Sequence, residues 1–240
     1  MKFSIYTYIR ELKILPFLIT GESMKIDNLH LVKIGGSLTH HVKPLLNTLK
    51  SFSSEENRIV IVPGGGMFAD MVRDLDQDVR LSNRASHRMA LMAMDMMGVY
   101  FSDVSHIKTV DNLYDAKITL LDSNIVILLP SKVVLSTDEL PHSWEVTSDS
   151  IALYIAKLLK LKRAIIVTDV DGIYNKYPGG KLLNIISAKS IRGFTSVDSY
   201  LPKLLIKYKM ECIVVNGKYP ERVVNILKGK KDIYTKIIVD

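Results

Sequence analysis

Short, mostly apolar runs that stop abruptly at glycine, proline, asparagine or aspartate dominate this chain. They occupy residues 29–34, 58–62, 125–129, 164–168 and 212–215, with stretches of helical spacing between them. A strand that is apolar on both faces must be covered on both, and strands separated by amphipathic helices pair in parallel. The pattern predicts an α/β fold: a three-layer αβα sandwich with a mostly parallel central sheet. Helices are expected at 43–52, with Pro44 in the first turn, at 67–76, and at 84–101, entered through Ser82 and Asn83. Further helices are expected at 149–160, capped by Ser148, at 196–209 and at 220–228, and a last strand near 234–239. Residues 131–147 read as irregular and 173–183 as a loop or hairpin. Met89, Met92, Met94, Met96 and Met97 read as core filler on the long helix.

The 240 residues suffice for one large domain or two joined lobes with a sizeable core. A formal charge of +7 favours anionic partners. No long basic run or zinc-finger spacing points to nucleic acid; a solvated basic surface or phosphorylated small-molecule partners would explain the charge. The single cysteine, Cys212, sits in an apolar run, so a disulfide within the chain is excluded and a buried, inert thiol is expected. A reducing, cytoplasmic compartment fits. The apolar stretch 14–19 is too short to span a bilayer, and no membrane partner is expected. Lys2, Arg10, Glu11 and Lys13 interrupt any signal-peptide core. Residues 1–24 are therefore expected to be an N-terminal extension to a single domain over 25–240.

Ligands of such sheets gather at the carboxyl ends of the strands. Gly35-Gly36-Ser37 and Gly64-Gly65-Gly66 follow two successive strands there. Glycine lets backbone N–H groups approach phosphate oxygens, and a helix N-terminus favours negative charge. Neither loop is a Walker A or a G-x-G-x-x-G motif. Lys33 lies inside an apolar strand, where a lysine is costly unless paired, facing an anion, or turned to solvent from an edge. Asp149 stands in the first turn of its helix, as a dipole-complementing acid would. Asp169 and Asp171 flank an Asp-Gly turn.

In order along the chain come Val32-Lys33-Ile34-Gly35-Gly36-Ser37, Val62-Pro63-Gly64-Gly65-Gly66, Thr147-Ser148-Asp149-Ser150 and Thr168-Asp169-Val170-Asp171-Gly172-Ile173-Tyr174. This succession resembles the motifs of the amino acid kinase superfamily over about residues 29–239. The resemblance implies an acceptor lobe over about 25–145 and a nucleotide lobe over about 146–240. It implies that Lys33 and Gly35, Gly36 and Ser37 cradle the transferring phosphate. Gly64, Gly65 and Gly66 would hold the acceptor, and Asp149 would orient the active-site lysines. Thr168, Asp169, Asp171, Gly172 and Tyr174 would bind the nucleotide. Lys181 would be the second phosphate-binding lysine, with Lys176 the alternative. ATP is implied as donor and Mg2+ as its companion, with no metal ligated directly by the protein. A homodimer or higher homo-oligomer is implied as well.

The runs 142–149, 183–189 and 216–222 resemble more narrowly the methanofuran-biosynthesis kinases of methanogenic archaea, which implies an aminomethylfuran phosphate as acceptor and its diphosphate as product. For such an acceptor, Glu145 or Asp70 would read the ammonium and Trp144 would cover the ring. Met67-Phe68-Ala69-Asp70 holds no histidine of the kind that isopentenyl phosphate kinases carry after their second glycine loop. The bacterial uridylate kinase loop sequence is absent too, so both acceptors lose support. A carboxylate-accepting kinase and a nucleotide-binding regulatory subunit without turnover are the remaining alternatives. The joint presence of Lys33, Asp149 and Lys181 disfavours the latter.

Overall fold

A computed structural model describes residues 26–176, 179–192 and 196–240. The extension expected over 1–24 lies outside them. The strands are β1 (Leu29–Ile34), β2 (Arg58–Pro63), β3 (Thr109–Val110), β4 (Ile125–Leu128), β5 (Arg163–Thr168), β6 (Ile185–Ser187), β7 (Glu211–Asn216) and β8 (Thr235–Ile238). They form an eight-stranded sheet in the order β3-β4-β2-β1-β5-β7-β8-β6. Every pairing is parallel except β7 with β8, which is antiparallel. The helices are α1 (Val42–Phe52), α2 (Gly66–Val79), α3 (Asn83–Ser105), α4 (Leu113–Ser123), α5 (Ser131–Thr137), α6 (Ser148–Leu158), α7 (Leu201–Tyr208) and α8 (Pro220–Leu227), with a 3-10 turn at Gly36–His41.

Two apolar layers flank the sheet, as a doubly covered parallel sheet requires. Leu31 of β1 packs with Ile151 and Ile155 of α6 and Leu201 and Leu204 of α7 on one side. Val32 and Ile34 pack with Leu45 and Leu49 of α1 and Val223 of α8 on the other. Side chains alternate along a strand, so Lys33 shares the α6 face with Leu31. Its neighbours in register are Val62 on β2 and Ile166 on β5, which makes it a central-strand lysine and excludes the edge-strand reading. Cys212 is fully buried in β7, and burial pushes its thiol well above the ordinary range.

Several expectations change. Residues 109–123 contain β3 and α4, which the apolar pattern did not signal; the Asn112 side chain caps α4 by accepting from Asp115 N. Residues 131–137 are helical rather than irregular. Asp95 of α3 accepts from Ser131 N at 3.1 Å and anchors that turn from outside. Helix α6 is capped at Thr147, and Ser148 is its first residue. Helix α7 begins at Leu201, later than expected, because Asp198 takes up the N–H groups of Tyr200 and Leu201. Of the methionines on α3, Met94 and Met97 are buried, whereas Met92 and Met96 are half exposed and face outward one turn apart.

Candidate active site

The carboxyl ends of β1, β2 and β5 meet where the two glycine loops touch. Gly35 N donates to Val167 O at 2.8 Å, and Gly64 N donates to Ile34 O at 2.7 Å. A Cβ on Gly36 would lie 2.3 Å from the Gly66 Cα, so this approach requires glycine. Gly66 has φ +52° and opens α2, placing the N-terminal N–H groups of that helix at the junction.

Lys33 and Asp149 meet on the α6 side of this junction. Lys33 Nζ lies 2.6 Å from Asp149 Oδ1, and both side chains are 8% exposed. The cation stands beside Gly35, since a Cβ there would be 3.5 Å from Nζ. The other Asp149 oxygen, Oδ2, accepts from Asp198 N at 3.1 Å. A cation held near the N-terminal N–H groups of a helix is suited to an anion that carries extra charge in a transition state.

A cavity of about 520 Å³ opens from the glycine loops toward α2, α3 and the start of α6. Gly65 and Gly66 form its base, while Asp70, Arg73, His87 and Trp144 line its walls. Trp144 is clasped to α2: its Nε1 donates to Asp76 Oδ2 at 2.6 Å, and the Arg73 guanidinium lies 4.9 Å from its ring centre. The Trp144 hydrogen bond holds the Asp76 carboxyl below its usual range. His87 stacks on His142 at 4.9 Å, and burial pulls its proton affinity below that of an ordinary histidine. Asp70 Oδ1 accepts from Arg73 at 2.7 Å and stays largely exposed. Glu145 does not line the cavity; it is exposed and pairs with Lys203 at 3.6 Å.

On the nucleotide side, Asp171 is pinned by Asn216 Nδ2 at 2.9 Å and Arg222 Nη1 at 2.7 Å. It shapes the loop after β5 and has donors of the protein on it already. Gly172 has φ +154°, and a Cβ there would meet Thr235 Oγ1 at 2.3 Å. Thr235 Oγ1 also accepts from Ile173 N at 2.8 Å. Thr168 Oγ1 donates to Asp169 Oδ1 at 3.3 Å. Tyr174 pairs with Leu182 in the expected hairpin, of which residues 177 and 178 lie outside the described set. Lys181 and Lys176 are both exposed on it. No group of three or more His, Cys, Asp or Glu among the described residues is arranged to hold a metal.

Sequence reasoning missed Arg73, Asp76, His87, Asp198 and Arg222. The i, i+3 spacing of Asp70 and Arg73 was a usable signal. The others act across 48 to 68 residues of chain, and nothing local marks them.

The chain matches the model of the amino acid kinase family over residues 28–216. It is 54% identical over 211 residues to the [5-(aminomethyl)furan-3-yl]methyl phosphate kinase of Methanocaldococcus jannaschii, covering 88% of this chain and 98% of that protein. It is 26% identical to the uridylate kinase of Methanococcus aeolicus, over 81% of this chain and 89% of the relative. The crystal structure of uridylate kinase from Archaeoglobus fulgidus superposes with a TM-score of 0.67 at 19% identity, covering 87% of this chain and 99% of that one. The glycine loops meeting at Lys33 thus sit in a fold and a sequence that point the same way: the chain belongs to the amino acid kinase family.

Proposed function

We propose that this kinase transfers the γ-phosphoryl group of ATP to [5-(aminomethyl)furan-3-yl]methyl phosphate, giving the diphosphate in methanofuran biosynthesis. One observation carries the acceptor: a single cavity offers backbone N–H groups at Gly65 and Gly66, an aromatic wall at Trp144 and His87, and a carboxylate at Asp70. Those features complement a phosphate, a flat ring and an ammonium respectively. The 54% identity to the M. jannaschii kinase supports the same acceptor. Between the two carboxylates considered for the ammonium, cavity lining favours Asp70 over Glu145.

In this reading, an oxygen of the acceptor phosphate attacks the γ-phosphorus, and the bond to the β–γ bridging oxygen breaks. ADP leaves with that electron pair. The acceptor is already an anion near neutral pH, so positioning and charge stabilisation do most of the work. Lys33, oriented by Asp149, faces the transferring group beside Gly35 and Gly36. The loop after β5 binds the nucleotide, and Lys181 approaches the bridging oxygen from its hairpin. Mg2+ bound to the ATP phosphates would neutralise charge there and would need few protein carboxylates. The buried Cys212 supports a cytoplasmic site for the reaction.

The outward face of α2 and α3 supports a homodimer or higher homo-oligomer. Met71 is 66% exposed and Val99 58%, with Met92 and Met96 between them, an apolar area that association would cover. A monomer mass by light scattering would rule this out. The acceptor is tested by ADP release with the aminomethylfuran phosphate, against uridylate and isopentenyl phosphate. Preference for either control would refute the assignment, and product trapping by hydroxylamine would reveal a carboxylate acceptor.

A further inference from the structure

Asp198 lies in the turn before α7, beside the Lys33–Asp149 pair. Its Oδ1 accepts from Ser150 Oγ at 2.6 Å, Leu201 N at 2.8 Å and Tyr200 N at 3.2 Å. Its Oδ2 accepts from Ser150 N at 2.9 Å, Thr147 Oγ1 at 2.9 Å and Thr147 N at 3.1 Å. Its own backbone N–H donates to Asp149 Oδ2 at 3.1 Å. A carboxylate that merely capped α7 would need only Tyr200 and Leu201. Here four of six donors come from Thr147 and Ser150, the residues that bracket Asp149 on α6.

We infer that Asp198 is a positioning residue for phosphoryl transfer: it locks the first turn of α6 against α7 and fixes Asp149, which then presents one oxygen to Lys33. The division of the Asp149 carboxylate follows from this. Oδ2 is held by the Asp198 N–H, and Oδ1 is left for the Lys33 ammonium at 2.6 Å. The same turn reaches the nucleotide side, because Ser196 Oγ donates to Gly172 O at 3.1 Å. One short segment, 196–201, therefore ties the cavity-lining start of α6 to the loop after β5. Burial and the nearby Asp149 charge both push the Asp198 carboxyl above its ordinary range, while hydrogen bonds from Ser150 and Leu201 act the other way. Two adjacent carboxylates, of which only Asp149 is paired with the lysine, are tolerable only if the second has its own set of donors. Replacing either Asp198 oxygen by an amide NH2 would set N–H groups against three donors.

This inference rests on the kinase reading above, and its test is a double-mutant cycle. Asp198→Asn and Asp149→Asn are made singly and together, with folding checked by circular dichroism. Asp198→Asn should lower kcat about tenfold or more, with acceptor KM changed less than about threefold, and in the Asp149→Asn background it should change kcat less than about twofold. Full multiplicative loss in that background would mean that Asp198 does not act through Asp149. A folded Asp198→Asn protein with unaltered kcat would overturn the inference too. If Asp198→Asn fails to fold, Ser150→Ala decides: it removes one donor, and the inference requires a fall in kcat that vanishes in the Asp149→Asn background. Should the unmutated protein show no turnover with the proposed acceptor, that assignment falls. The same cycle read on ATP affinity by calorimetry then judges Asp198 alone, with additive losses counting against it.

Discussion

Two ion pairs bear on the active site, and they are built in opposite ways. Lys33–Asp149 is 2.6 Å long, 8% exposed on either side, and braced by Asp198 from a third segment. Asp70–Arg73 is of similar length but belongs to a single helix turn and is 68% exposed at the aspartate. A pair in the sheet core loses little to screening and cannot move, whereas a pair on a helix rim is screened and can be exchanged. In the proposed reading, the fixed pair faces the transferring phosphate and the adjustable pair lines the acceptor cavity. That reading puts the phosphoryl-transfer chemistry in the core and acceptor discrimination on a wall that tolerates change.

Removing either half of the buried pair is the hardest test of that division. Lys33→Ala and Asp149→Asn should each lower kcat by more than about 100-fold, about 3 kcal/mol of transition-state stabilisation. Steady-state ADP release measures this, and turnover within tenfold of the unmutated protein would break the comparison. The opposite end of the same strand sharpens it. His30 on β1 is held neutral by burial and by the nearby Arg163 charge, which lower its pKa to about 4. A histidine with a depressed folded pKa binds its proton more readily in the unfolded chain. Its share of stability is therefore present above about pH 6.5 and lost as pH falls to about 4, an effect of about 2 kcal/mol. Thermal melts should drop over that window, and His30→Gln should flatten the drop.

The rim should respond more weakly. Asp70→Asn is expected to raise acceptor KM about tenfold, about 1.4 kcal/mol, with ATP KM unchanged. An unchanged acceptor KM would mean that Asp70 does not read the ammonium. Trp144→Phe keeps an aromatic wall but removes the donor to Asp76, and should raise acceptor KM about threefold. Glu145→Gln touches only a solvent-exposed pair with Lys203 and should leave acceptor KM within about twofold. A large effect there would reverse the assignment of the cavity wall.

Much of this was legible in the chain. Continuous apolar runs at β1, β2, β4, β5 and β7 announced buried parallel strands, because no other arrangement hides both faces of such a segment. The glycine loops were legible for the same local reason: a backbone that must approach another backbone closely cannot carry a side chain. The short strand β3 and helix α4 were not, since two paired residues make no period and α4 draws its cap from a polar asparagine. Exposed methionines on α3 misled, because hydrophobicity reports what should be covered and not by what.

Strand composition puts Lys33 inside an apolar strand; its burial depends on β1 lying centrally in the sheet, and what it meets there on which helix packs over β1. That choice joins Asp149 to a residue 116 positions away, and Asp198 completes the brace from a further 49. Likewise Glu145 and Asp70 are equivalent as residue types, and only the path of the chain before α6 turns one toward Lys203 and leaves the other on the cavity wall. Local preference is set by each residue and its neighbours, so it can be read along the chain. Charge pairing across 58 to 116 residues depends on how whole elements dock, and docking is decided by packing of the sheet and its two helical layers as a unit.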